Sequence, residues 1–311
     1  MASMSVLVTG AGVIGSVYAG RLAQARHEVT ILARGNRLNE LRRAGLRLRP
    51  SGGAEFRPDV TIVGDPPAAR HDLLILAVRR EQAAAAAQQA AGIRATTVML
   101  FGNYGGMTAE LSATVGADRM IPGFPGAGGR IDGGTVTYAL IKAQPTVIGG
   151  LPGCDGERAQ AVAHALREAG FRTSIESDMD GWLASHAALV VPMAAAIMAA
   201  GGSASALAEQ KELLGRMTAA TRAVYRAQRR GGRLVINRNL WLLYLLMPKW
   251  FAARYWAGAL RGEFGELAFA AHTRHAWGEM AALGAWLRST VESDEEAVRA
   301  LDHVLGVAPT R

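Results

Sequence analysis

Lysine is nearly missing from this 311-residue chain. Lys142, Lys211 and Lys249 are the only three, so the net charge of +8 is carried almost wholly by arginine. That arginine is dispersed, and clusters such as Arg42 and Arg43, or Arg226, Arg229, Arg230 and Arg233, read as solvated helix faces rather than a nucleic-acid surface. Cysteine is reduced to Cys154, which excludes an intrachain disulfide; its neighbours, GGLPGCDG, suggest a loop, and a reducing cytoplasm fits. Long apolar runs are also missing. AALVVPMAAAIMAA and LWLLYLLMPKWF contain proline and fall short of the roughly 20 residues a bilayer span needs, so both are expected to be buried helices with no membrane role. The opening MASMS has no basic segment followed by an apolar one, which argues against a signal peptide. Half of the residues are apolar, 19% are charged and no low-complexity tract occurs, which excludes disorder.

What the chain does contain changes character part-way. SVLVTG, EVTILAR, DVTIVG, DLLILAV, TTVMLF and RMIPGF alternate with helical stretches, a pattern that predicts a parallel sheet with helices on both faces. TVTYALI and TVIGG read as added strands in a meander, followed by the helix ERAQAVAHALREAG and a last strand, FRTSIES. From Asp178 onward only alanine- and leucine-rich segments of helical period follow. Two domains are expected, 1–177 and 178–311.

The first strand runs directly into VLVTGAGVIGS, which places Gly10, Gly12 and Gly15 at G-x-G-x-x-G spacing, with Val13 and Ile14 opening the next helix. Gly10 permits the tight turn, Gly12 lets backbone amides approach a pyrophosphate, and Gly15 allows the helix to pack on the strand. The helix N-terminus favours the phosphate charge. About 20 residues on, where an NAD-binding site would offer a carboxylate to the ribose, this chain has Arg34 and then Arg37. A guanidinium cannot accept a hydroxyl proton, but its fork can hold a 2'-phosphate, which predicts NADP(H) as the cofactor.

The segment LVTGAGVIGSVYAGRLAQARHEVTILARGNRLNELRRAGLRLR resembles the ketopantoate reductase family, the 2-dehydropantoate 2-reductases and their relatives. The resemblance implies an α/β Rossmann-type N-terminal domain followed by an all-α C-terminal domain, a 6-phosphogluconate dehydrogenase-like arrangement, with substrate held in the cleft between them. It places Arg79 of DLLILAVRREQ in a slot that is lysine in the family, with Arg80 as the alternative register. It also places Asn103 of FGNYGG in the asparagine slot near the nicotinamide, where a structural turn asparagine is the competing reading.

The family's catalytic helix carries W-x-K-L-x-x-N-x-x-x-N. Aligned on Trp182, GWLASHAALVVP puts Ala184 in the lysine slot and Ala188 and Pro192 in the asparagine slots. The three polar groups are replaced by a small apolar wall on one helix face. His186 lies about 200° around the helix from residue 184 and is the candidate proton donor, against a packed or capping histidine. Pro192 lacks the amide that would bond the carbonyl of Ala188. Further on, Glu266, or Glu263 in the other register, takes the slot of a glutamate that holds the substrate hydroxyl; Arg254 falls near the place of a serine that is not found. His272, His275 and Glu279 could suggest a metal, but His272 and Glu279 are two turns apart and no third ligand converges, so no metal is expected.

These readings predict an NADPH-dependent reductase acting on a carbonyl or imine small molecule other than ketopantoate, with catalytic residues His186, Glu266 and Asn103 and with a homodimer compatible. Two alternatives remain open: an authentic 2-dehydropantoate 2-reductase with a displaced donor such as Lys249 or His186, and a non-catalytic NADP(H)-binding regulator.

Overall fold

The computed structural model describes residues 3–142, 144–149 and 156–308, the side chain of His272 excepted; Cys154 lies outside the described residues. The chain divides into two compact units, Met1–Met179 and Asp180–Arg311.

The first unit is built on β1 (Ser5–Thr9), β2 (Glu28–Leu32), β3 (Arg47–Pro50), β4 (Thr61–Val63), β5 (His71–Leu76), β6 (Ala95–Phe101), β7 (Met120–Phe124), β8 (Ala127–Asp132), β9 (Thr135–Leu140), β10 (Thr146–Gly149) and β11 (Thr173–Glu176). Eight of them form one sheet in the order β11-β10-β7-β6-β5-β1-β2-β4. The strands from β4 to β7 along that order are mutually parallel. β10 runs antiparallel to β7, with β11 parallel to it. Parallel strands need covered faces, and Leu73, Leu74, Ile75 and Leu76 of β5 are accordingly buried without a polar break. The connecting helices are α1 (Val13–Gln24), α2 (Gly35–Ala44), α3 (Ala83–Ala91), α4 (Thr108–Val115) and α5 (Gly156–Glu168).

From β1 the chain builds outward through β2 to β4, then returns to the other side of β1 for β5. The direction of winding therefore reverses at β1. In open α/β sheets, the carboxyl ends of the strands at such a reversal are where ligands bind.

The meander expectation is corrected. TVTYALI is β9 of a separate three-stranded sheet, β3-β9-β8, whereas TVIGG is β10 of the main sheet. β3 pairs parallel with β9, which pairs antiparallel with β8. The arginines of β3 and the glycines of β8 masked both strands in the sequence. This small sheet covers α1: a Cβ on Gly20 would lie 2.3 Å from Leu48 Cδ1. Tyr18, on the same helix, stacks on Phe171 at 4.0 Å and shares a 2.5 Å hydrogen bond with Thr146.

Among the described residues, no strand follows Glu176. The second unit comprises α6 (Met179–Ala199, which starts one residue earlier), α7 (Ala204–Ala208), α8 (Lys211–Arg230), α9 (Arg238–Trp241), α10 (Lys249–Ala259), α11 (Gly262–Gly265), α12 (Ala271–His275), α13 (Trp277–Thr290) and α14 (Glu295–Leu305), with π-helical turns at Leu242–Leu246 and Glu266–Ala270. Its core gathers Ala188, Val191, Met193 and Ile197 of α6 with Met217, Val224 and Tyr225 of α8 and Leu283 of α13. By length and composition α6 could cross a membrane, yet 67% of its most apolar window is buried in the protein.

Candidate functional site

The glycine motif separates into three physical roles. Gly10 has φ +101°, and a Cβ there would lie 2.2 Å from the carbonyl oxygen of Ala77. A Cβ on Gly15 would lie 1.9 Å from the carbonyl oxygen of Gly10. Both positions are fixed by the protein's own backbone. Gly12 differs: its φ of −73° suits any residue, and a Cβ there would meet nothing within 4 Å. Gly12 is also the N-cap of α1, with no side chain capping the helix and no acidic residue in its first turn. First-turn amides that the helix itself cannot satisfy therefore begin at Gly12 and run through Val13 and Ile14. Open space beside positively polarised amides is a cradle for an anion.

Arg34 and Arg37 have different surroundings. Arg34, N-cap of α2, is exposed and donates from Nη2 to Gln89 Oε1 at 2.8 Å. Arg37 turns inward. It donates to the carbonyl oxygen of Ala11 (3.0 Å), Ser16 Oγ (3.5 Å) and the carbonyl oxygen of Gly134 (3.3 Å), and pairs with Glu40 at 2.6 Å. It thus braces the glycine loop from behind. Asn36, Asn39 and Arg43 join Arg37 and Glu40 around an open hollow beside α2.

Beyond β5, the two registers of the double arginine also separate. Arg79 is exposed, with Glu81 at 3.9 Å. Arg80 donates from Nη1 to the carbonyl oxygens of Asn103 and Gly105, both at 2.9 Å. Tyr104 donates its hydroxyl to the carbonyl oxygen of Val78 at 2.5 Å. The turn holding Asn103 is thereby locked to the turn after β5, and both follow the carboxyl ends of neighbouring strands, as the glycine loop does. Sequence reasoning missed Arg80 and Tyr104 as this lock; the adjacency of β5 and β6 is the signal that would have revealed it.

In the helical unit, His186 stacks on Trp182 one turn earlier, ring centroids 4.9 Å apart and planes 8° from parallel. Both side chains are half-buried, as is Ala184. Ala188 and Pro192 are buried within the unit's core, so only the first turn of the apolar wall expected from the sequence stays open. Gln228 donates from Nε2 to the carbonyl oxygen of Ala184 at 3.0 Å, and Ser185 Oγ accepts from the amide of Val235 at 3.0 Å.

Glu266 opens a π-helical turn, and its carboxylate is already engaged. Oε1 accepts from Ser203 Oγ (3.0 Å) and the amide of Ala204 (2.9 Å), while Oε2 pairs with Arg274 at 3.0 Å. Burial acts to raise its pKa, but Arg274, Ser203 and the amides of Ser205 and Ala204 together outweigh it and hold the carboxyl below its ordinary range. That geometry caps the start of α7. The substrate contact implied by resemblance would compete with it.

The profile of the family described as ketopantoate reductase PanE/ApbA matches residues 6–153, the stretch holding the glycine motif, both arginine pairs and Asn103. Residues 6–153 are a ketopantoate reductase-family domain. A 2-dehydropantoate 2-reductase of Pyrococcus horikoshii is 26% identical over 189 residues, 58% of this chain and 58% of the relative. The chain thus matches little more than half the length of that curated relative. Solved structures resemble it over nearly its whole length: a 2-dehydropantoate 2-reductase of Geobacter metallireducens (TM-score 0.76, 16% identity, 97% of this chain and 98% of that one) and a D-mandelate dehydrogenase with NADH and anilino(oxo)acetate (TM-score 0.76, 16% identity, 98% and 97%). At that identity the likeness shows the fold, an α/β unit followed by a helical one.

Proposed function

We propose that the protein is an NADPH-dependent reductase acting on a carbonyl or imine carbon of a small molecule other than ketopantoate. The observation that carries the reading is Gly12, a glycine that neither backbone strain nor packing requires, facing open space at the N-terminus of α1. A dinucleotide fits there: the Gly12, Val13 and Ile14 amides would hold its pyrophosphate, and Asn103 would lie toward the nicotinamide. When bound, NADPH supplies the hydride.

Cofactor choice rests on Arg34, whose exposed guanidinium would pair with a 2'-phosphate that NADH lacks; Arg37 supports the loop, and Arg79 adds positive charge at the same edge. The mandelate dehydrogenase neighbour holds NADH, so this preference belongs to the chain's own residues. His186 is the titratable donor we assign to the substrate's developing anion. With alanine at 184 there is no ammonium to polarise a carbonyl, and the open first turn of α6 suits a larger, less polar substrate.

Fluorescence titration with NADPH and NADH, followed by turnover across 2-oxoacids, ketones and imines, tests the reading. NADPH is expected to bind at least about tenfold more tightly, one charge-assisted contact being worth 1.5 kcal/mol or more, and Arg34→Asp should remove most of the difference. Equal affinities in the wild type would overturn the cofactor assignment. Tight NADPH binding with no turnover on any class would favour a binding regulator instead, a reading for which the buried, apolar Ala188 and Pro192 speak. His186→Ala should cut turnover while leaving NADPH affinity intact.

A further inference from the structure

The segment LWLLYLLMPKWF, expected from the sequence to be a buried helix with no membrane role, is neither one helix nor fully buried. Pro248, the N-cap of α10, separates the π-helical turn Leu242–Leu246 from the helix that follows. Leu243 and Tyr244 enter the core, but Leu246 is 61% exposed, Trp250 66% and Phe251 41%, and one turn further along α10 Tyr255 is 47% exposed. The rings of Trp250 and Phe251 meet edge to face, centroids 5.8 Å apart. Helical period explains the division: Ala252, Trp256 and Leu260, four residues apart, hold α10 to the core, while Trp250, Phe251, Arg254 and Tyr255 take the opposite side. A helix apolar on both sides is ordinarily buried on both, and contiguous exposed apolar surface marks an interaction site.

The charge around this face has one sign. No Asp or Glu occurs between Glu212 and Glu263, whereas ten Arg and Lys residues do. α10 packs chiefly on α7, α8 and the π-helical turn before it, and their one carboxylate, Glu212, is held by Arg216. Arg261, beyond the far end of α10, pairs with Glu209 at 3.0 Å; Lys249 and Arg254 enter no ion pair among the described residues. From Trp241 to Arg261 the chain also contains no Ser, Thr, Asn, Gln or His. A protein partner is held by about one hydrogen bond per 100–200 Å², and this face has few neutral groups to make them. A second copy related by a two-fold axis would set the face on itself, cation toward cation. A bilayer surface asks for what is present: aromatic rings that settle at the headgroup level and cations that meet anionic headgroups.

We propose that the face of α10 carrying Trp250, Phe251, Arg254 and Tyr255, with Leu246 and Lys249 at its start, is a docking surface for an anionic lipid bilayer. The rings and Leu246 enter the headgroup region, and Lys249 and Arg254 sit against lipid phosphates. Eleven residues make about half a span, so α10 lies in the interface rather than crossing it. Span length, the ground for expecting no membrane role, excludes a crossing helix and is silent on a surface one. The proposal does not rest on the reductase reading.

The test is co-sedimentation of the whole chain with vesicles of phosphatidylcholine, alone or mixed with an equal amount of phosphatidylglycerol. Binding to the mixed vesicles is expected to be at least about tenfold tighter, from two cations at an anionic surface, and to weaken as salt is raised. Trp250→Ser/Phe251→Ser should lower that affinity at least about tenfold with the melting midpoint unchanged, because neither side chain belongs to the core. Lys249→Glu/Arg254→Glu should remove the preference for the anionic vesicles. No binding to the mixed vesicles, or binding that Trp250→Ser/Phe251→Ser leaves unchanged, would overturn the surface. So would a lipid-free dimer, seen by sedimentation equilibrium, that the same double variant dissociates, since a second copy would then cover the face.

Discussion

Gln228, in the last turn of α8, donates its side-chain amide to the carbonyl oxygen of Ala184 on α6. With the Val235–Ser185 bond, it fastens the open first turns of α6 to the end of α8 and the segment after it. Gln228→Leu keeps the volume and removes the donor. Its unfolding free energy should fall by about 1 kcal/mol, read from urea denaturation. A variant as stable as the wild type would show that the bond contributes nothing.

The three glycines of the first loop should respond differently to alanine. Gly15→Ala drives a Cβ into the Gly10 carbonyl and should destabilise by about 1–3 kcal/mol. Gly12→Ala meets no protein atom, so the fold should hold while NADPH affinity drops. Melting curves and cofactor titration of the two variants separate the effects, and a Gly12→Ala protein that binds NADPH normally would remove the main support for the cofactor site.

Two buried histidines of the first unit predict an acid-sensitive fold. Burial lowers the pKa of His27, opposed by Glu168, and of His71, opposed by Asp72. A lowered pKa means that the unfolded chain binds protons more readily, so stability is fully present above about pH 6.5, the ordinary histidine value, and is lost as pH falls below it. His27 Nδ1 accepts from the amide of Met4, which requires the unprotonated nitrogen. Stability profiles between pH 7.5 and pH 5 should be flatter for His27→Gln than for the wild type; identical slopes would exclude His27 as a contributor.

Glu266→Gln should expose the role of the engaged carboxylate. Loss of the charge facing Arg274 and α7 should lower stability by about 0.5–2 kcal/mol, the range of a lost helix cap, and leave turnover per folded molecule within about twofold. A fall in kcat by two orders of magnitude with stability intact would return Glu266 to the chemistry.

The first unit was legible where one signal decided each element. Alternating apolar runs marked the six parallel strands, and G-x-G-x-x-G after a strand marked the loop at β1. β3 and β8 were hidden because Arg-Leu-Arg-Pro and a glycine-rich run fit strands only when a partner is supplied by distant sequence. The candidate site was legible as a set of positions, yet its division of labour was not. That Arg37 faces inward while Arg34 faces solvent, or that Arg80 rather than Arg79 holds the Asn103 turn, depends on atoms of other elements. The interior of α6 was less legible for a related reason: alanine and proline at 188 and 192 describe equally well an apolar wall lining a cleft and a helix packed within its own unit.

The small sheet also dictates when the first unit can finish folding. β3 pairs with β9, so residues 47–50 wait for residues 135–138, while the six main-sheet strands from β4 to β7 along the sheet order are all made by residue 124. A chain emerging from the ribosome would hold that sheet with α1 still bare on its outer face, and Leu46 and Leu48 without cover. Pairing across such a separation is slow to form and exposes apolar surface meanwhile. A chain stalled short of residue 140 is therefore the species that chaperones or aggregation would meet, and charged residues in β3 lower its risk in that interval.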